Sequence, residues 1–165
     1  ITQNLAVEVK KKKKLSKYDY FYVPLINHIY SQPVKYGWMA CLAPDGKFCI
    51  FKKETKLWHQ GLVHPSYSLN GNKGPIFESH INHFMSKDLS ELLMRFNRNS
   101  SLHAIELKKN NNFKKYFSFR KIFSRFIKSF FLRKGYKEGA LGLLICILNA
   151  IYPMVSAIKS KEDKI

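Results

Sequence analysis

The rhythm of apolar positions changes along this chain, and each change predicts a different element. The run YDYFYVPLINHIY, residues 18–30, is dense in aromatic and β-branched residues and predicts a strand, which Pro24 confines to an edge or breaks. KFCIF (47–51) and LVHPSYSL (62–69) predict short strands set among turn residues, namely Pro33, Gly37, Pro44-Asp45-Gly46, Gly61, Asn70-Gly71 and Gly74. From Ser86 the period becomes helical. Ser86 or Asp88 can cap a helix, Glu91 lies in its first turns, and Leu89, Leu92, Leu93, Phe96, Ala104 and Leu107 form its apolar stripe. Arg95, Arg98 and His103 fall off that stripe. Near the N-terminus Leu5, Val7 and Val9 alternate briefly before Lys10–Lys14, a lysine run expected in a solvated loop or at a helix end.

The last third reads differently. On a helical wheel Phe119, Ile122, Phe123, Phe126, Ile127 and Phe130 share one side, and Arg120, Lys121, Arg125 and Lys128 share the other. This is the pattern of a cationic amphipathic helix lying in a membrane interface. Gly135 and Gly139 follow and are expected to loosen the backbone. Between Gly139 and Ile158 no residue carries a formal charge. A bilayer span needs about 20 such residues, yet Asn149, Pro153 and several small residues weaken a simple spanning helix. A shallow, re-entrant or neighbour-packed helix fits equally. The polar stretch Lys108–Asn112 is expected to be a hinge. It divides the chain into an α+β part, 1–112, and a basic, amphipathic and apolar helical part, 113–165.

Charge sharpens this picture. The 165 residues carry 29 Lys and Arg against 11 Asp and Glu, a formal net charge of +18, which calls for a polyanionic partner. Single-strand nucleic-acid binders mix aromatic and cationic side chains on one surface. Here the wheel separates them, so an anionic membrane surface is the better partner and nucleic acid the poorer one. Cys41, Cys49 and Cys146 are odd in number and unpaired in spacing, as expected on a reducing, cytosolic side. No signal peptide is expected from the N-terminal ITQNLAVEVKKKKK.

Chemistry is sparse. His80-x-x-His83 could share a metal only if helical, and no matched third ligand accompanies it, so no metal site is expected. No Gly-rich phosphate loop and no Asp-x-Asp pair occur.

Four blocks, in order from Tyr18 to about Lys159, resemble the C-terminal half of bacterial family 2 glycosyltransferases of the lipopolysaccharide-core and glycolipid type. They are PVKYGW (33–38); LVHPSYSLNGNKGPI (62–76) followed by INHF (81–84); DLSELLMRFNRNSSLHA (88–104); and RKGYKEGALGLLICILNAIY (133–152). The resemblance implies an incomplete remnant of a Rossmann-like GT-A domain followed by amphipathic membrane-associated helices. It implies transfer of a sugar from a nucleotide-sugar, with Mg²⁺ or Mn²⁺, to a phosphorylated glycolipid acceptor. The expected place is the cytoplasmic face of the bacterial inner membrane.

It also implies that Ile1 falls just after the family's metal-binding segment. The donor half is then expected as a separate nucleotide-sugar-binding part, and this portion is expected to be inactive alone. Two departures bear on activity. Where relatives have Arg-Leu-Phe this chain has Cys49-Ile50-Phe51, and where they have His followed by an acid it has His64-Pro65. Pro65 cannot act as a base, which leaves His64 as the candidate catalytic residue. Trp38, His83 and Arg95 are the candidate acceptor-side residues. The alternative is a non-catalytic membrane-surface or scaffold protein that keeps the lipid-binding helices.

Overall fold

The computed structural model describes residues 3–13, 17–40, 46–59, 66–110 and 118–162 and has a mixed α+β architecture. Helix α1 (Gln3–Lys13) is followed by strands β1 (Tyr20–Val23), β2 (Leu25–Ile29) and β3 (Gln32–Pro33), and by the short helix α2 (Gly37–Ala40). Strands β4 (Lys47–Phe51), β5 (Lys56–Trp58), β6 (Tyr67–Leu69) and β7 (Ile81–Ser86) come next. Helices α3 (Leu89–Asn110), α4 (Phe119–Ile127) and α5 (Gly139–Lys159) close the chain, with a π-helical turn Lys128–Leu132 and a 3₁₀ turn Gly135–Glu138 between the last two.

The aromatic run 18–30 is two strands. Pro24 lacks an N–H, so the ladder stops there. β1 pairs antiparallel with β4, whereas β2 lies parallel to β7 and antiparallel to β3. The β2–β3 turn holds Tyr30 and Ser31 at φ of 53° and 62°, both in the left-handed region. That is the backbone of a type I′ turn, which follows the right-handed twist of the strands it joins.

Two cores result. Ile29 of β2, Val34, Met39 of α2, Leu92 of α3 and Ile145 of α5 make one, and Trp38, Met85, Leu141 and Leu148 pack against it. Leu5 of α1, Phe21 and Val23 of β1, and Phe77 make the other. The alternating Leu5, Val7, Val9 therefore belongs to a helix, with Leu5 buried and Val7 exposed, and the lysine run continues that helix as far as Lys13. Glu8 docks α1 by accepting the Glu78 and Ser79 backbone N–H groups, each at 2.9 Å, and pairs with Lys12 at 3.0 Å.

Asp88, not Ser86, caps α3. Its Oδ1 accepts the Glu91 N–H at 2.7 Å, as an N-cap side chain does, and the Glu91 carboxylate in turn accepts the N–H of Lys87, the residue before the cap, at 2.8 Å. Lys108–Asn110 are the last turn of α3 rather than a hinge; residues 111 and 112, and the 112/113 boundary with them, lie outside the described residues. His103 also departs from expectation. Its ring stacks on Tyr152 of α5 at 5.6 Å and 4°, so it belongs to the α3–α5 interface. Lys159 ties the same two helices, donating to Asn97 O at 2.9 Å, Asn97 Oδ1 at 2.6 Å and Ser100 Oγ at 2.8 Å.

The join between α2 and the start of α5 is a close backbone approach. A Cβ on Gly135 would stand 2.7 Å from Cys146 Sγ and 2.9 Å from the Ser129 carbonyl, and one on Gly142 would stand 2.1 Å from the Gly135 carbonyl. Gly135 is therefore a point of close approach and does not loosen the backbone. Gly37 (φ 77°) donates its N–H to Arg133 O at 2.8 Å, and Glu138 Oε1 accepts the Lys35 and Tyr36 N–H groups at 2.7 and 2.8 Å.

Two outcomes are expected from this packing. Gly142→Ala overpacks a backbone contact and should lower unfolding stability by about 1–3 kcal/mol in a denaturant titration; an unchanged midpoint would refute the close approach. For Glu8, burial raises the pKa, but the backbone N–H groups of Glu78 and Ser79, the Ser79 side chain and Lys12 outweigh it and hold the value at about 2, below the ordinary 4.5. A depressed carboxylate stabilises the fold above its unfolded pKa and loses that contribution as pH falls through the folded one. Protection of the α1 amides, taken relative to their intrinsic exchange rate, should therefore fall between pH 4.5 and about 2, and Glu8→Gln should lower it already at neutral pH.

Candidate functional site

Strand β7 turns alternate residues to opposite faces of its sheet, and this sorts the histidines. His80 precedes β7 and lines a cleft of about 560 Å³ together with Ile26, His28, Pro33, Lys35 and Asn82. His83 is half-buried on the other face, where its Nδ1 lies 2.9 Å from Asn27 Oδ1. The helix that His80-x-x-His83 would need for a shared ligand is therefore not formed. Among the described residues no group of three His, Cys, Asp or Glu side chains could hold a metal. Glu8, Asp19, Glu91 and Glu138 are each engaged with backbone N–H groups, which leaves this set a poor match for a divalent ion.

Asn27 is buried, with 3% of its surface exposed, and its Nδ2 donates to the Met39 carbonyl at 2.6 Å. That bond fixes which amide atom faces His83. Oδ1 must be the acceptor, so His83 Nδ1 carries a proton and Nε2 keeps its lone pair. The His83 pKa is lowered from the usual 6.5, first by burial and then by the charges of Lys47 and Arg95. A neutral imidazole with a free Nε2 can accept a hydrogen bond, or a proton, from a hydroxyl.

Arg95 projects from α3 and is held by Glu91 through two bonds, Nη2 at 2.8 Å and Nε at 3.1 Å. Its guanidinium is part-exposed and still presents donors to an anion. Trp38 sits on α2, partly buried against the Ile29–Ile145 core, and is joined to His83 through Met39 and Asn27. Of the four acceptor-side and catalytic candidates, Trp38, His83 and Arg95 thus lie around one core, with Lys47 acting on the same histidine. His64 lies outside the described residues. Asn27 escaped the sequence reading. A single amide inside the apolar run LINHI was its signal, because a buried strand accepts such a residue only when its hydrogen bonds are met.

The second candidate surface is the C-terminal helix pair. All eight membrane-binding candidates lie on α4 and the π-helical turn, and no residue of α4 is buried. Phe119 and Phe123 are 83% and 66% exposed. Phe126 and Phe130 are half-buried and stack on each other at 5.2 Å and 14°. Arg120, Lys121, Arg125 and Lys128 are all exposed. Gly135–Lys159 is long and apolar enough to cross a membrane, though one face of α5, from Gly142 through Cys146 and Ala150 to Ala157, is buried within the protein.

The His83 geometry carries a pH prediction. Since the folded pKa is depressed, the unfolded chain takes up the proton first, so stability is lost as pH falls below 6.5. An NMR titration should place the His83 midpoint below that of an exposed histidine. Asn27→Asp puts a negative charge on Nδ1–H and should raise it; a midpoint insensitive to that change would remove Asn27 as the partner. No family model, curated protein or solved structure matches this chain.

Proposed function

We propose that this chain binds the surface of an anionic membrane and is the acceptor-side portion of a family 2 glycosyltransferase acting on a phosphorylated glycolipid there. The nucleotide-sugar and its Mg²⁺ or Mn²⁺ would be held by a separate half, and the setting would be the cytoplasmic face of a bacterial inner membrane. The observation that carries the membrane part is α4, whose phenylalanines and cations are both left outside the core.

Magnitudes support this. Each Lys or Arg beside an anionic leaflet contributes about 1 kcal/mol, and each phenylalanine buried in the acyl boundary about 1.5–3 kcal/mol. Four cations and two exposed rings then supply comparable electrostatic and apolar shares, so salt alone should weaken binding without abolishing it. The transferase part rests on the four sequence blocks, on the neutral His83 with its free Nε2, and on Arg95 as an anion-facing donor. His64 remains the candidate base by that resemblance, with Trp38 as the acceptor-side aromatic.

A second reading is a non-catalytic membrane-surface or scaffold protein, which the exposed phenylalanines and cations of α4 fit without any catalytic group. Both readings expect the purified chain to co-sediment with phosphatidylglycerol vesicles and to stay in solution with neutral ones. Phe119→Asp with Phe123→Asp should weaken this at least tenfold, more than Phe126→Asp with Phe130→Asp weakens it per unit of retained fold, because the latter rings stack on each other. Loss of vesicle binding in neither pair would refute the membrane role. Supplying donor halves of family 2 enzymes separates the readings: sugar-nucleotide turnover that His83→Ala and Arg95→Ala diminish supports the transferase, and no turnover with any donor half supports the scaffold.

A further inference from the structure

Alternation along β1 sends Phe21 and Val23 into the Leu5–Phe77 core and turns Tyr20 and Tyr22 to the opposite side. There Phe48 of β4 meets Tyr20 at 5.4 Å and Tyr22 at 5.8 Å, and stacks on Phe51 at 4.9 Å and on Tyr67 at 5.6 Å. Trp58 of β5 stands edge-on to Tyr67 of β6 at 5.7 Å and 73°. Phe48 is buried beneath, but Phe51, Trp58 and Tyr67 are 45%, 61% and 41% exposed. The Lys56 ammonium sits among these rings, 3.5 Å from the Trp58 centroid and 4.4 Å from that of Tyr67.

We propose that this aromatic and lysine face of the β1–β4 and β5–β6 pairs is a binding site for a phosphorylated sugar ring, with Trp58 and Tyr67 contacting the pyranose and Lys56 its phosphate. The inference rests on the glycolipid reading above and places the acceptor's sugar on named residues. Three observations select this occupant. A face that dips into a bilayer carries its rings beyond its charges, whereas here the ammonium lies at ring level and would be carried into hydrocarbon with them. Single-strand nucleic-acid platforms offer ring faces on which successive bases stack. At 73°, Trp58 and Tyr67 instead form a corner, which fits one ring lying flat on the indole with its edge to the tyrosine. A phosphate supplies the negative charge that Lys56 lacks in the described structure, where its near neighbours are π faces. Burial and the charge of Lys47 lower the Lys56 pKa, in keeping with a cation that an anion would stabilise. Lys47 acts on His83 as well, so the face and the His83–Arg95 pair border the same β4 end.

The chain has two tryptophans. In the full-length protein, glucose 6-phosphate at millimolar concentration should change the indole fluorescence saturably, and Trp58→Phe should remove that change. Glucose or inorganic phosphate at the same concentration should not. Lys56→Gln and Tyr67→Ala should each weaken the response at least fivefold while co-sedimentation with phosphatidylglycerol vesicles is retained. No response to glucose 6-phosphate with vesicle binding intact would sink the sugar site and leave the membrane reading standing. An equal response to inorganic phosphate, a tighter one to octathymidylate, or one to vesicles alone would overturn it in favour of an anion, a nucleic acid or a bilayer.

Discussion

The approach of three glycines, held by one carboxylate, is the constraint on which the rest of this structure depends. Gly37 lies against Gly135, Gly135 lies against Cys146, and Gly142 faces the Gly135 carbonyl. Because these positions lack a Cβ, the α4–α5 connection can sit directly on α2. Glu138 then closes the join by accepting two backbone N–H groups from the segment before Gly37. A charged acceptor on two amides is worth more than neutral pairs, about 1.5–3 kcal/mol for each bond. Trp38 and α4 are both referred to this join. It carries Trp38 on one side, aims α4 outward on the other, and brings Ile145 into the core shared with β2, α2 and α3.

Much of this was legible in the sequence where a local physical rule acts alone. Pro24 predicted a break and produced two strands in two sheets. Asp88 and Glu91 predicted a helix start, and Asp88 caps α3 on the Glu91 N–H. The α4 wheel predicted an amphipathic helix, and α4 is a helix none of whose residues is fully buried. The failures share a cause, in that a distant partner decided the outcome. Gly135 looked like a flexible point, and only the position of Cys146 and Ser129 makes it a contact. His103 lies off the apolar stripe of α3 until Tyr152 is placed opposite it.

The candidate site was half legible. Trp38, His83 and Arg95 were named through resemblance; Trp38 packs on the Ile29–Ile145 core, and the charge of Arg95 acts on His83. The Asn27 amide that sets the His83 tautomer comes from a strand 56 residues away, as does its own anchor on Met39 from another element. Spacing cannot express such a relation. The same holds for the aromatic face, since register sets Trp58 opposite Tyr67, but Phe48 comes from a separate strand pair and meets Tyr67 only through the packing of the two pairs.

Helix α5 shows how the two halves of the proposed role constrain each other. Its length and hydropathy suit a bilayer span, but its small-residue face is committed to α3, with Tyr152 bonded to the Asn99 carbonyl and Lys159 to Asn97 and Ser100. Sinking α5 across a membrane would either strip these contacts or carry α3 with it. Helix α3 bears Glu91, Arg95, Arg98, Glu106, Lys108 and Lys109, and a charged side chain at the centre of a membrane helix costs about 2.5–3.5 kcal/mol. Under the membrane reading, we therefore infer that α5 lies along the surface with Leu143 and Ile147 toward lipid. That orientation needs no loss of the α3–α5 contacts, and Leu143 and Ile147 are already part-exposed.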